Sequence, residues 1–566
     1  MAIAVLLGLW MVAAAWSLLS AASSLRAGGD RLQEVRQRAD IEALTDPATV
    51  DELARAEADL AAAHRRLSGP FVAPTRLVPV LGRHVRAADR LAVAGRDGAA
   101  AAGDAVVALG DLAGRPNATG EERLATLAEL AVVGERAERR LAALEVGDPD
   151  GLTGGLADAV TRVGDQQRAA VRGAGQLAAA ADALAGVLRG PEPYLLLGAN
   201  NAEMRNGTGM YLSAGELAFD DGDLALGEVR PTAELVRPEG SVPVAGDLAR
   251  NWPWLDVGRD LRNLGLSADL PQSLPVAARN WEGVPGGGPV AGVIAVDVDG
   301  LRSLLRAVGP VEVDGVRYTA DTVRGELLRD QYARYDDDRT ARRDQLGAVA
   351  GAVFDRIAAG EWELPVLARE LADAVQGRHL VIWSADARTQ EAWDDLGATG
   401  ALGPRSLSAA LVNRGATKLD SWIDQEVEVV TSAPEADGTR RIEVTLRIRN
   451  RAPATGPRYV VGPNVEGVAA GDHVGLAVVN LPAGSTGLEM GGARTFLVGG
   501  DGPTEVIAGE VRVPRGTSVS VTVRGVLPAG VDRLTLEPSA RVPRTGWIVD
   551  GTTFERDRRR TVDLGT

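Results

Sequence analysis

The sequence predicts a multidomain chain: an N-terminal membrane helix, an all-α stalk or bundle, an α/β domain and a C-terminal immunoglobulin-like β-sandwich. Three observations carry this. Ala2–Leu25 contains no charged residue. Residues 30–189 place Ala and Leu at helical spacing. Beyond Pro191, apolar runs alternate with helical stretches until about Glu426, where the pattern changes to period two. The expected boundaries are 1–25 for the anchor, 30–189 for the stalk, 190–425 for the α/β domain, 426–545 for the sandwich and 546–566 for a tail.

Composition narrows the function classes. A chain of 566 residues exceeds one hydrophobic core. A net charge of −16 argues against nucleic-acid binding, so any phosphate site must be a local basic cluster. There is no cysteine, which removes disulfides, thiolate zinc and thiol nucleophiles. His64, His84, His379 and His473 have no metal-ligand spacing. Lys418 is the single lysine.

Taken in order, Ala2–Leu25 is long enough for a bilayer of about 30 Å. It predicts a single-pass protein with its bulk outside the cytoplasm; a cleaved signal peptide ending near Ala21-Ala22-Ser23 is the alternative. In the stalk, Leu53, Ala56, Leu60, Ala63 and His64 share a helix face, and Thr119–Glu122 is a capping-box pattern. Tyr194–Leu197 and Pro289–Val298 read as buried strands, Gly300–Ala307 and Thr340–Ala358 as helices, and His379–Ser384 and Leu407–Val412 as further strands. Gly286–Ala291 loosely matches a dinucleotide fingerprint but precedes a strand instead of opening a helix, so it is rejected. Glu428–Thr431, Ile442–Arg449 and Val519–Val523 are expected sandwich strands. Glu555–Thr566 is charged and holds no second span.

The candidate site begins where the first strand ends, at Asn200-Asn201-Ala202-Glu203-Met204-Arg205-Asn206-Gly207-Thr208-Gly209. Two amides, a carboxylate, a guanidinium and glycines at a strand end suit a ligand loop; a hairpin in which Arg205 pairs with Glu203 is the alternative. Arg339, Arg342 and Arg343 open a helix, and Arg339 and Arg343 share a face. There they suit phosphate, unless they only pair with neighbouring aspartates. Asn413…Lys418-Leu419-Asp420 offers either a site lysine or a structural Lys–Asp pair.

NNAEMRNGTGMYLSAG (201–215 with Asn200) resembles the signature of a bacterial envelope family, domain of unknown function 4012. The resemblance runs from about Pro191 to about Asp424. That family is itself similar to the LytR-CpsA-Psr phosphotransferases, which join polyprenyl-diphosphate-linked glycopolymers to the cell wall. Asp338–Arg343 resembles their arginine-bearing helix start, Val293–Val313 their strand-helix-strand, and Ser267–Pro271 a Ser-x-Asp-Phe-Pro element. The resemblance implies an α/β/α core, a diphosphate site built from Arg205, Arg339, Arg342, Arg343, Asn201, Glu203 and Lys418, and Mg2+ as cofactor. One departure is plain. The phosphotransferases follow their first arginine with an aspartate that helps hold magnesium, and this chain has Gly207 there. The metal would then fall to Asp297, Asp299 or Glu203. The implied partners are the membrane, through the N-terminal helix, and a lipid-linked or wall glycopolymer. The competing expectation is a non-catalytic polysaccharide-binding or scaffold module.

Overall fold

The computed structural model describes the backbone of residues 2–38, 46–237, 241–334 and 339–565, and their side chains except at 2–9, 339–344 and 346. The chain divides into two compact units. The first is helical: α1 (Ala2–Arg38), α2 (Pro47–Leu67), α3 (Pro79–Ala113), α4 (Gly120–Ala142) and α5, which starts at Gly155 and runs to Arg189. Its helices start where local chemistry dictates. Asp46 caps α2 by accepting from the Ala48 amide at 2.9 Å, and Pro47 follows at the first helical position. Leu53, Ala56, Leu60, Ala63 and Leu67 of α2 are buried, as their spacing predicts. His64 leaves that stripe to meet Asp89 at 2.7 Å.

The expected anchor is overturned. Among the described residues no helix is long and apolar enough to cross a membrane. The physical reason lies in α1, which runs unbroken into the charged segment Arg26–Arg38. One of its faces, through Ala21 with Leu18 and Leu25 beside it, is committed to Ala63, Leu67, Val72, Val85 and Ala92. The single-pass placement falls with the anchor. The side chains of residues 2–9 lie outside the described residues.

The second unit begins with a mixed sheet: β1 (Tyr194–Met204), β2 (Gly209–Asp220), β3 (Asp223–Leu226), β4 (Arg230–Pro231) and β5 (Gly292–Asp297). A small hairpin, β6 (Val311–Val313) and β7 (Val316–Tyr318), precedes β8 (Leu380–Ser384), which closes the order β3-β2-β1-β5-β8. β1 runs parallel to β5, with Ala199 opposite Asp297, and antiparallel to β2. Leu195, Leu197, Val293 and Ala295 face helix Leu274–Glu282, and that core continues into Val412, Leu476 and Val478 of the sandwich. Helices Val298–Val308 and Arg339–Ala358 form a second core through Leu301, Leu305, Val349 and Val353. The polar stretch after Leu197, expected as a loop, is strand to Met204. Its short amides bond locally: Asn200 Oδ1 accepts from the Ala202 amide at 2.8 Å, and the register with β2 breaks between Asn200 and Met204.

The sandwich comprises β9 (Ser406–Asn413), β10 (Ile423–Thr431), β11 (Arg440–Asn450), β12 (His473–Leu481), β13 (Thr486–Gly491) and β14 (Arg494–Asp501). It continues through β15 (Thr504–Val513), β16 (Ser518–Leu527), β17 (Arg533–Glu537), β18 (Gly546–Val549), β19 (Thr552–Phe554) and β20 (Arg560–Asp563). Two six-stranded sheets, β13-β16-β11-β10-β18-β19 and β14-β15-β12-β9-β17-β20, enclose an aliphatic core. This exceeds the roughly seven to nine strands of an immunoglobulin fold. β10/β18 and β9/β17 pair in parallel. β9, read from sequence as part of the α/β domain, lies inside the second sheet. All eight of its residues are buried, a pattern that reads the same in either sheet. The expected tail supplies β18–β20, where Leu564 is buried beneath its charged neighbours.

Candidate functional site

The end of β1 does gather chemistry. Lys418 Nζ stands 2.7 Å from Glu203 Oε2, with both side chains buried. The ammonium also lies 5.8 Å from the Tyr332 ring centre and 5.3 Å from that of Tyr459. Burial alone would lower the Lys418 pKa; Glu203 and the two tyrosines outweigh it, so the pKa rises and the lysine stays charged. These residues floor a cavity of about 370 Å³ that Arg230, Arg262, Gln331 and Met210 also line. Arg262 forks onto Asp260, its Nη2 at 2.6 Å from Oδ2. Arg230 donates to the Pro285 carbonyl. Gln331 Oε1 is buried and has no hydrogen-bond partner among the described residues.

Arg205 is buried and points elsewhere. Its Nη1 donates to the carbonyls of Met204 and Asn413, each at 3.2 Å. Burial lowers its pKa, and Glu203 and Asp420 oppose the shift. It borders an adjoining cleft of about 160 Å³, which shares Glu203, Met210 and Ala416 with the first, together with Arg414, whose guanidinium lies 4.2 Å from the Trp254 ring centre. The sequence alternative of an Arg205–Glu203 pair gives way to backbone carbonyls for the arginine and Lys418 for the carboxylate.

The Asn413…Asp420 segment is a structural hub. Asp420 accepts from the Met204 amide at 3.1 Å and from Asn413 Nδ2 at 2.7 Å, and meets Arg541 Nη1 at 3.2 Å and His473 Nε2 at 3.3 Å. Burial disfavours its charge, but His473 and Arg541 overcome that and hold its pKa at about 2. Lys418 therefore does not pair with Asp420, as one sequence alternative had it.

The candidate metal carboxylates are occupied by cations. Asp297 Oδ1 caps helix Val298–Val308 through the Asp299 and Gly300 amides, each at 2.9 Å. Its Oδ2 takes Asn201 Nδ2 and His379 Nδ1, each at 2.7 Å. Asn201 also donates to the Ala540 carbonyl at 2.7 Å, so it ties the end of β1 to β5 and to the connection after β17 instead of facing a ligand. Asp299 is forked by Arg324, with His379 Nε2 at 3.6 Å and Arg544 at 3.9 Å. Among the described residues no group of three or more potential metal ligands converges. Both oxygens of Asp297 and of Asp299 are already engaged, so a Mg2+ ion there would have to displace Asn201, His379 or the Arg324 fork, and no third oxygen ligand converges among the described residues.

Gly207 is held by close approach. A Cβ there would lie 2.5 Å from the Ser267 carbonyl, and its amide donates to Gly265 at 2.9 Å. Ser267 and Ala268 latch this layer to Asp501 of β14, and Asp269 to the segment before β9. Asp501 Oδ2 accepts from the Ala268 amide at 2.9 Å, and Asp269 Oδ1 from the Leu402 amide at 3.0 Å.

The side chains of Arg339, Arg342 and Arg343 lie outside the described residues. Sequence reasoning missed Tyr459, Arg262 and Arg541. One signal was available for the first, since the chain has only six tyrosines, two of which flank its one lysine.

Residues 189–332 match the model of a family described as "Protein of unknown function (DUF4012)". That segment runs from the last residue of α5 to Tyr332 and supports the resemblance to this uncharacterised family. No curated protein matches the chain. Among solved structures, the chain is similar to one described as a "putative nutrient binding protein" from Legionella pneumophila subsp. pneumophila str. Philadelphia 1, at 8% identity over 25% of this chain and 53% of that one, with a TM-score of 0.17. The match thus spans about half of that protein's length, and a likeness this low carries no argument.

Proposed function

We propose that this chain is a non-catalytic module that binds a glycan in the cavity floored by Lys418, Glu203, Tyr332 and Tyr459. One observation carries the reading: the lysine and Arg262 are already paired with carboxylates, and an orphaned acceptor sits beside them. A phosphate entering there would have to break an ion pair or face Glu203 unscreened. A sugar hydroxyl would satisfy Gln331 Oε1 once that buried amide turns toward the cavity it lines, and would disturb neither pair. Met210, Leu212 and Val229 supply apolar wall for sugar C–H faces. The volume lies within the roughly 300–1,000 Å³ range of small-ligand sites.

A second reading rests on the resemblance to the LytR-CpsA-Psr proteins read from the sequence: binding, and transfer, of a polyprenyl-diphosphate-linked glycopolymer. The adjacent guanidinium groups of Arg205 and Arg414 at one cleft favour an anion there. The occupied carboxylates at 297 and 299 argue against its metal-assisted chemistry. Calorimetric titration with neutral oligosaccharides, and separately with a short-chain polyprenyl diphosphate, separates the two. The glycan reading expects saccharide binding that Tyr459→Ala and Gln331→Leu weaken. Diphosphate binding lost in Arg414→Gln, with no saccharide binding, would favour the second.

A further inference from the structure

A third cleft, of about 380 Å³, has an electrostatic character unlike the cavity above. Arg302 and Arg306 enter it from helix Val298–Val308, Arg324 from the segment after β7, and Arg544, Arg556 and Arg558 from the end of the sandwich. Six guanidinium groups face three lining carboxylates, Asp299, Asp373 and Asp557.

Two of those carboxylates are engaged. Asp299 is held by the Arg324 fork. Asp557 accepts from Trp547 Nε1 at 3.0 Å and from the Thr545 amide at 3.1 Å. Arg302 uses its Nε on the Ala320 carbonyl at 2.8 Å, and Arg306 reaches Glu370 at 3.4 Å. Arg302 registers the crowding, since its pKa is lowered first by burial and then by Arg324, Arg306 and Arg544. In a chain of net charge −16, such a local excess of arginine is costly unless an anion offsets it.

We infer that this cleft binds a compact, multiply charged phosphate group, a diphosphate or longer, held by the guanidinium forks of Arg302, Arg544, Arg556 and Arg558. Forked N–H pairs match phosphate oxygens, and four or more converging arginines suit two linked phosphates better than one. The group could belong to a soluble phosphorylated metabolite or to a lipid headgroup; the chemistry of recognition is shared. The site is separate from the glycan cavity, with no lining residue in common.

The test uses the full chain and inorganic pyrophosphate at two salt concentrations, with vesicles carrying a lipid diphosphate as a second arm. Wild type should bind pyrophosphate, more weakly at high salt. Arg544→Gln combined with Arg558→Gln should weaken it at least tenfold, while an unchanged melting temperature shows the fold intact. Tyr459→Ala should bind pyrophosphate normally, so failure of the glycan reading leaves this result legible. Arg302→Gln alone, which should weaken binding several-fold, serves as a second variant if the double substitution unfolds the protein. Vesicle retention together with pyrophosphate binding assigns a lipid source; pyrophosphate binding without retention assigns a soluble one. Absent pyrophosphate binding at low salt, or equal affinity in wild type and variants, would overturn the proposal.

Discussion

Lys418 Nζ lies 2.7 Å from Glu203 Oε2, and neither side chain is exposed to more than a trace of solvent. The only lysine of the chain therefore joins the end of β1 to the segment after β9. Removing one partner leaves a buried charge unpaired, which costs about 3–5 kcal/mol. Lys418→Met should lose stability on that scale in urea denaturation. Lys418→Met with Glu203→Gln should recover much of it; additive losses would show that the two residues act independently.

Asp420 sets an acid limit. Its pKa is lower in the folded state, about 2, than in the unfolded chain. The unfolded state thus binds more protons between those values, and the stabilisation present above about pH 4 is lost as pH falls towards 2. Urea midpoints measured across this window should fall in wild type. In Asp420→Asn, starting from lower stability, the fall should be shallower; parallel curves would remove Asp420 as the source.

Gly207 is the position at which the sequence comparison expected a metal-holding aspartate, but its surroundings leave no room for one. Gly207→Ala should cost about 1–3 kcal/mol through its clash with the Ser267 carbonyl. Gly207→Asp should destabilise at least as much and gain no Mg2+ affinity in isothermal titration. A stable Gly207→Asp variant that binds the metal would revive the metal-assisted chemistry.

Arg205 is a structural donor here. Arg205→Ala should lower stability by about 1.5–3 kcal/mol, because two buried carbonyls lose a charged partner. Arg205→Lys should recover only part of this, since an ammonium cannot reproduce the guanidinium geometry. Thermal melts decide it: an unchanged midpoint in the alanine variant would return Arg205 to a ligand-facing role.

Much of the fold was legible because it rests on apolar periodicity. Leu53–Leu67, β1, β5 and helix Val298–Val308 sit close to where their patterns place them. Three features were not legible, for identifiable reasons. Ala2–Leu25 is apolar enough to suggest a span, but a helix face rich in Ala serves helix packing equally well. β9 is uniformly buried, so nothing in its pattern distinguishes the α/β sheet from the sandwich. Asn200–Glu203 looked like a loop because short amides that bond their own backbone leave the same trace in a distorted strand. The site was half legible. Glu203 and Lys418 share one cavity, but Asn201, Asp297 and Asp299 turn to structural partners. Tyr459 and Arg541 come from distant parts of the chain, brought in by β-pairing that one sequence does not encode locally.

The most direct test of the account is a glycan array probed with wild type and Tyr459→Ala, the variant first matched to wild type by melting temperature. Tyr459 is half-buried and lines the cavity, outside the Asp420 hub. The account predicts that wild type retains a defined set of oligosaccharides and that Tyr459→Ala loses them. Identical retention by both proteins, or no retention of any saccharide by wild type, would contradict it.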